Sequence, residues 1–393
     1  MGGDLALARL GRIVRRTAAA LAAATLAAVP ATAATVYVAF GDSITEGVGD
    51  SVPTPAGYPP RLQSLLRNAG NDATVVNAGL GGEDTTQGIT RLDSVLAANS
   101  GASVLLLMEG TNDISRGISI ETTRFNLGEM ARKAEARSME VVHATMIPRY
   151  PAAKVDAANI TNQQLVQRVR DLAGASHRDL VDNFYVFGIQ PDPFHHLYST
   201  ITPDPVGHPN AAGYDLIANT FFNALSGADD VPPVPGLTVP EPFAAEVSAD
   251  TRIAVDVWDF GSGVDIGNTS LLIDGQPVAT AVVGDSGRGV LSYQPPQPLA
   301  GTVHVGLRTR DLMNPANTFD QDIFSFTVAG SQGIPGDIDA DGRVDGGDLV
   351  LLAVHFGARQ GEINYLAAAD LNSDGVIDGM DLAVLASNFG QGN

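Results

Sequence analysis

Ser43 sits in Gly41-Asp42-Ser43-Ile44-Thr45, where an apolar run ends, and its hydroxyl could act as a nucleophile toward an acyl carbonyl. Such a reaction needs a base for the hydroxyl proton, a group that orients the base, and donors aimed at the oxygen that becomes charged. The chain supplies candidates in a workable order: Asn77-Ala78-Gly79-Leu80-Gly81-Gly82, then Glu109-Gly110-Thr111-Asn112-Asp113, then His208-Pro209-Asn210-Ala211-Ala212-Gly213-Tyr214. His208 is the base candidate. The donors would be the Ser43 N–H, a glycine N–H from the Gly81-Gly82 turn and the Asn112 amide. His195 and His196 offer either a rival base, a metal pair or simply a polar loop, and His143 lies in a strand-like run. Asp42 and Asp113 flank these blocks and read as loop braces.

A second chemistry occupies the last sixty residues, where a segment repeats with a period of 33. A 12-residue calcium loop supplies oxygen from positions 1, 3, 5, 7, 9 and 12, with glycine at position 6 for the sharp turn. The first copy gives Asp337, Asp339, Asp341, the Arg343 carbonyl, Asp345 and Asp348; the second gives Asp370, Asn372, Asp374, the Val376 carbonyl, Asp378 and Asp381. Two structural Ca2+ ions are expected, and no cofactor for the serine chemistry. The five carboxylates of the first loop repel one another without a cation, so metal binding and folding should be coupled. After each loop the same apolar positions recur, Leu349, Leu352 and Phe356 matching Leu382, Leu385 and Phe389.

The elements that must position the serine are legible as alternating runs. Strands are expected at 36–40, 73–77, 103–108, 140–145 and 180–186, with amphipathic helices at 60–68, 86–98, 121–137 and 162–173. That alternation predicts an α/β domain over 34–228, a mostly parallel sheet covered on both faces. Ser43 would then lie on the turn at the carboxyl end of the first strand, where open α/β sheets place their chemistry.

From residue 229 the texture changes. Residues 229–236 form a proline-rich linker, and 237–330 shows short alternating segments at 252–257, 270–273, 303–308 and 323–328. Asp274-Gly275 is expected as a tight hairpin turn. An immunoglobulin-like β-sandwich fits, acting as a spacer or offering a carbohydrate-binding face. A short linker, 331–336, leads to the small all-α calcium-binding region, 337–393.

Composition bounds the partners. A net charge of −21 over 393 residues excludes nucleic acid, whose phosphates are held by Lys and Arg clusters. Residues 335–393 contribute ten Asp or Glu and two Arg to that balance. Residues 1–33 read as a signal peptide: Arg9, Arg12, Arg15 and Arg16 precede an apolar run from 17 to 29, and Ala31-Thr32-Ala33 follows as a small-x-small cleavage site. That run is too short for the roughly 20 residues that span a bilayer, so export without a membrane anchor is expected. With no cysteine, the exported chain has neither disulfides nor thiol chemistry.

The blocks of residues 34–228 resemble the GDSL or SGNH hydrolase family, with Gly41-Asp42-Ser43, Gly82, Gly110-Thr111-Asn112-Asp113 and His208 as the matching positions. The resemblance implies a flavodoxin-like three-layer α/β/α fold, a Ser-His-Asp triad, and hydrolysis of esters such as acetylated sugars or acyl lipids. The family's last block is usually Asp-x-x-His; here Pro205 stands three before His208 and Asp204 four before, with Gly207 as the extra residue. Asp204 is the expected orienting acid, reaching the ring through a bulge at Gly207. The tail resembles a type I dockerin, which implies a cohesin-like protein partner. Loop positions 10 and 11 are Gly346-Gly347 and Gly379-Met380 rather than the polar pair of cellulosomal dockerins, so a cohesin of another specificity is implied.

Overall fold

The computed structural model describes residues 34–52, 56–149, 157–190, 193–200, 207–329, 334–339, 342–359, 364–372 and 374–392. The expected signal peptide, Asp204 and Asp341 lie outside them. Among the described residues no helix is long and apolar enough to cross a membrane.

Five strands build the first sheet: β1 (Thr35–Gly41), β2 (Ala73–Gly79), β3 (Val104–Met108), β4 (Glu140–Ala144) and β5 (Asp179–Val181). They are all parallel, in the order β2-β1-β3-β4-β5, which is the doubly wound order with a switch point between β1 and β3. Side chains alternate along each strand. Ala39, Leu106 and Met108 face one side, with Tyr58 and Leu62 of α2 (Tyr58–Asn68) and Tyr214, Ile217 and Phe221 of α9 (Ala211–Ser226). Val38, Phe40, Leu105 and Leu107 face the other, against α3 (Thr85–Ala98), α5 (Ile120–Glu135) and α6 (Ala157–Ala175). The Tyr58 and Phe221 rings stack at 4.7 Å and join α2 to α9. The expected strand at 180–186 ends at Val181. Asp182 caps the short helix α7 (Asn183–Gly188) by accepting the Tyr185 N–H, so the chain leaves the sheet there.

The β-rich region holds two four-stranded sheets. One pairs β10 (Ala281–Gly284), β11 (Arg288–Tyr293), β7 (Ile253–Trp258) and β6 (Val234–Val239); the other pairs β13 (Thr318–Thr327), β12 (Thr302–Arg310), β8 (Ser270–Ile273) and β9 (Gln276–Pro277). Val255 and Val257 from the first sheet share a core with Leu271, Val305, Leu307 and Phe326 from the second. Asp274 and Gly275 both have positive φ, 48° and 73°, as a two-residue hairpin turn demands. The stretch expected as a proline-rich linker is partly absorbed into this fold, because Val234 and Pro235 pair with Trp258 and Val257.

β6 and β7 together tie the two regions to each other. The Trp258 ring packs on Gly174 of α6, where an added Cβ would stand 2.4 Å from the indole. Beside it the buried Arg170 donates to Asp182 at 2.8 Å and to the Pro235 carbonyl at 2.8 Å.

In the tail, α10 (Gly346–His355) and α11 (Gly379–Asn388) are each capped by the aspartate at loop position 9, Asp345 and Asp378. The copies clasp each other reciprocally. Gly357 N–H donates to the Ile377 carbonyl and Gly390 N–H to the Val344 carbonyl, both at 2.7 Å.

Candidate active site

Gly41 ends β1 where the chain presses on β3; a Cβ there would stand 2.1 Å from the Met108 carbonyl oxygen. Asp42 then caps a single turn, α1 (Ser43–Glu46), its Oδ1 accepting the Ile44 N–H at 2.9 Å. Ser43 opens that turn, so its own N–H has no intrahelical acceptor. Gly47, at φ 104°, stops the helix after Glu46.

His208 arrives from the far end of the domain. Its carbonyl accepts the Ser199 N–H at 2.7 Å, Pro209 bridges to Tyr198, and the Asn210 side chain caps α9 by accepting the Gly213 N–H at 3.1 Å. The backbone on both sides of the imidazole is thereby held. Its Nε2 lies 2.8 Å from Ser43 Oγ, and both residues are 7% exposed. His195 and His196, on α8 (Pro193–Leu197), are exposed instead, and His143 is buried in β4, where burial and Arg178 push its pKa down to about 3. Gly207 takes a left-handed φ of 73° immediately before His208.

The Gly81-Gly82 turn lies beside the serine and is clamped from several sides. Leu80 N–H donates to the Gly41 carbonyl at 3.0 Å. Arg91 donates to Glu83 at 2.7 Å and to the Ala78 carbonyl at 3.0 Å while its guanidinium covers the Phe40 ring. Arg116 donates to the Gly82 carbonyl at 2.6 Å and pairs with Asp84. The Gly81 N–H is taken by Glu46 Oε2 at 2.7 Å. The Gly82 N–H has no acceptor among the described residues. Asn112, in α4 (Thr111–Ser115), spends one amide hydrogen on the Glu83 carbonyl at 2.8 Å, leaving the other for a ligand.

Buried carboxyls underlie this surface. Asp113 accepts from Thr85 N at 2.9 Å, from Thr123 Oγ1 at 2.8 Å and from the Thr85 hydroxyl, bracing α3, α4 and α5. Burial raises Asp42 to about 7 and pushes Glu109 well above the usual carboxylate range, with neighbouring acids adding to both. The bracing residues Glu46, Glu83, Arg91 and Arg116 were not among those singled out from the sequence. Their partners lie 8 to 35 residues away, and no local pattern marks them.

In the first tail loop, Asp337, Asp339 and Asp348 offer oxygens within 4.8 Å of one another, a donor set suited to a hard cation. Among the described residues the second loop brings no three carboxylates together. Asn372 stands where the first copy has Asp339, so an amide carbonyl replaces one carboxylate. Asp348 and Asp381 are fully buried, each accepting three backbone N–H groups of its own loop. Arg343, Asp345, Asp370, Asp374, Val376 and Asp378 line the same two turns.

Comparison with known proteins finds matches for two segments of the chain. Residues 39–216 match the GDSL-like Lipase/Acylhydrolase family and residues 335–389 the Dockerin type I domain, so the chain carries one domain of each kind. Esterase TesA of Pseudomonas aeruginosa is 36% identical over 110 residues, 28% of this chain and 53% of that protein. An arylesterase of Vibrio mimicus is 32% identical over 91 residues, 23% of this chain and 44% of that protein. The chain thus spans about half the length of the curated relatives it matches. The lipase/acylhydrolase from Enterococcus faecalis aligns with 49% of this chain and 96% of its own at 22% identity, with a TM-score of 0.43.

Proposed function

We propose that this chain, which joins a GDSL-like lipase/acylhydrolase domain to a type I dockerin domain, is a secreted serine esterase that deacylates polysaccharide. The observation that carries the reading is the 2.8 Å contact between Ser43 Oγ and His208 Nε2 beside a clamped glycine turn. His208 takes the hydroxyl proton as Oγ attacks the ester carbonyl, and returns it to the departing alcohol. The acyl-serine is then hydrolysed by water activated by the same ring. Ser43 N–H, Gly82 N–H and the Asn112 amide receive the negative oxygen of each tetrahedral intermediate. Asp204 is the acid that holds the ring and stabilises the imidazolium.

The β-rich region is read as an immunoglobulin-like spacer, and the tail as a dockerin holding two Ca2+ ions. Leu349, Val350, Val354 and Phe356 of the first repeat and Met380, Leu382 and Phe389 of the second are exposed apolar residues. They give the tail two related apolar faces suited to a cohesin-like protein, which would hold the esterase near its polymer. A role as a lipase on long acyl chains is the second enzymatic reading.

The test is hydrolysis of nitrophenyl acetate and nitrophenyl decanoate alongside acetate release from acetylated xylan or pectin, comparing wild type with Ser43→Ala. Acetate-selective turnover lost in the variant is expected. Preference for decanoate moves the substrate to lipids, and turnover indifferent to Ser43 rejects the esterase.

A further inference from the structure

Three acidic residues from three separate elements meet where the α/β domain passes into the β-rich region. Asp229 follows α9, Asp259 follows β7 and Asp311 follows β12. Their carboxylate oxygens lie within 4.8 Å of one another. Oxygens that share one Ca2+ at 2.3–2.6 Å can stand up to about 5 Å apart, so the spacing admits that ion. Asp259 and Asp311 are 3% and 1% exposed. Among the described residues no Lys or Arg forms a salt bridge with any of the three.

Backbone donors account for part of each carboxylate. Asp259 Oδ1 accepts from Gly261 N at 2.9 Å and Gly263 N at 2.6 Å, Asp311 Oδ1 from Met313 N at 3.1 Å and Asn317 N at 2.9 Å, and Asp229 Oδ2 from Ser262 N at 2.6 Å, while the Asn317 side-chain amide donates to Asp311 Oδ2 at 2.6 Å. These bonds would serve a cation-free turn equally well. Asp259 Oδ2 is different: it is buried, receives no hydrogen bond, and belongs to the carboxylate that meets Asp229 and Asp311. A buried carboxylate oxygen without a donor is costly unless a cation faces it. The Asp229 carboxylate is pressed onto the bare backbone of Gly261, where a Cβ would stand 2.3 Å from its Cγ. A side chain there would push Asp229 out of the cluster.

We propose that Asp229, Asp259 and Asp311 bind one calcium ion that fastens the β-rich region to the end of the α/β domain. The site is separate from the two tail loops and does not depend on the esterase reading. Without the ion, burial together with the charges of Asp229 and Asp311 raises the Asp259 carboxyl to about 6.

Trp258, the only tryptophan of the chain, immediately precedes Asp259 and reports on the site. The experiment uses the full chain with the tail loops silenced by Asp348→Asn and Asp381→Asn. Calcium is titrated while Trp258 emission, calorimetric stoichiometry and thermal unfolding are followed. One bound ion, a saturable change in emission and a rise of at least about 3 °C in the unfolding midpoint are expected. Adding Asp229→Asn, which changes the most accessible of the three, should weaken calcium binding at least about tenfold, with circular dichroism verifying the fold; Asp259→Asn should abolish binding. No saturable calcium response up to millimolar concentration, or a response unchanged by Asp229→Asn and Asp259→Asn, overturns the site.

Discussion

Gly81 donates its N–H to the Glu46 carboxylate over 2.7 Å, while the next N–H along the chain, that of Gly82, is left without an acceptor among the described residues. Glu46 ends the helical turn that Ser43 begins, so one short element carries both the proposed nucleophile and the brace of the Gly81-Gly82 turn. Gly82, rather than Gly81, therefore has the N–H left to serve as the proposed donor for the developing oxyanion. A hydrogen bond to a charged acceptor contributes about 1.5–3 kcal/mol. Glu46→Ala should loosen the turn and lower kcat on nitrophenyl acetate by roughly tenfold, with KM little changed. An unaltered kcat would show that the turn is held well enough by Arg91 and Arg116.

Asn112 is the side-chain donor proposed for that oxygen, held by its bond to the Glu83 carbonyl. Loss of one oxyanion donor costs on the order of 10²- to 10³-fold in rate. Asn112→Ala should lower kcat by that amount, and the thermal midpoint should move little because the residue is only partly buried. An effect confined to KM would assign Asn112 to ground-state binding instead.

The blocks proposed for catalysis were legible because each is local: a serine at a strand end, a glycine turn, and His208 just ahead of a helix. The central strands were legible for the same reason, since Val38 and Phe40 against Ala39 follow a period of two. What escaped is what distant segments make together. The seven residues expected as one strand at 180–186 divide into β5 and α7 because Asp182 caps a helix, and two polar partners from elsewhere, Thr145 and Arg170, hold that aspartate in place. The junction of Asp229, Asp259 and Asp311 is likewise invisible along the chain, because each belongs to a different turn.

Asp42 makes stability depend on pH in a definite direction. In the folded chain it keeps its proton up to about pH 7, against the ordinary 3.8 of a free aspartate, because burial outweighs its hydrogen bonds. Between those values the folded state holds more protons than the unfolded one, so this residue's contribution falls as pH rises and is constant above the folded value. Asn retains the cap to the Ile44 N–H. The stability of Asp42→Asn relative to wild type, from urea unfolding, should therefore climb from about pH 4 to about pH 7 by at most ~1.4 kcal/mol per pH unit. A flat difference would mean that Asp42 is ionised throughout.

Calcium removal should divide the chain functionally. Chelation should strip hydrogen-exchange protection from Gly346–His355 and Gly379–Asn388, because buried Asp348 and Asp381 would lose the cation proposed for each of their loops. Turnover of nitrophenyl acetate should stay within about twofold, since the parallel sheet and its two apolar layers have no residue in those loops. Loss of turnover in parallel with protection would tie the tail to the active site.

Trp258 is wedged between two bare backbones, Gly174 of α6 and Gly236 of β6, where added Cβ atoms would stand 2.4 Å and 2.7 Å from the ring. Neither glycine has positive φ, so close approach rather than backbone conformation accounts for both. Gly174→Ala would ordinarily favour a helix, as alanine is the better helix former by about 1 kcal/mol. Here the methyl group must displace a buried indole, and overpacking typically costs about 1–3 kcal/mol. The net expectation is destabilisation of the junction, seen as a lower midpoint for the Trp258 fluorescence transition while far-ultraviolet circular dichroism of the folded state is unchanged. A raised midpoint would mean that Trp258 can swing clear of α6, and that the buried Arg170–Asp182 pair with its bond to Pro235 holds the two regions together without it.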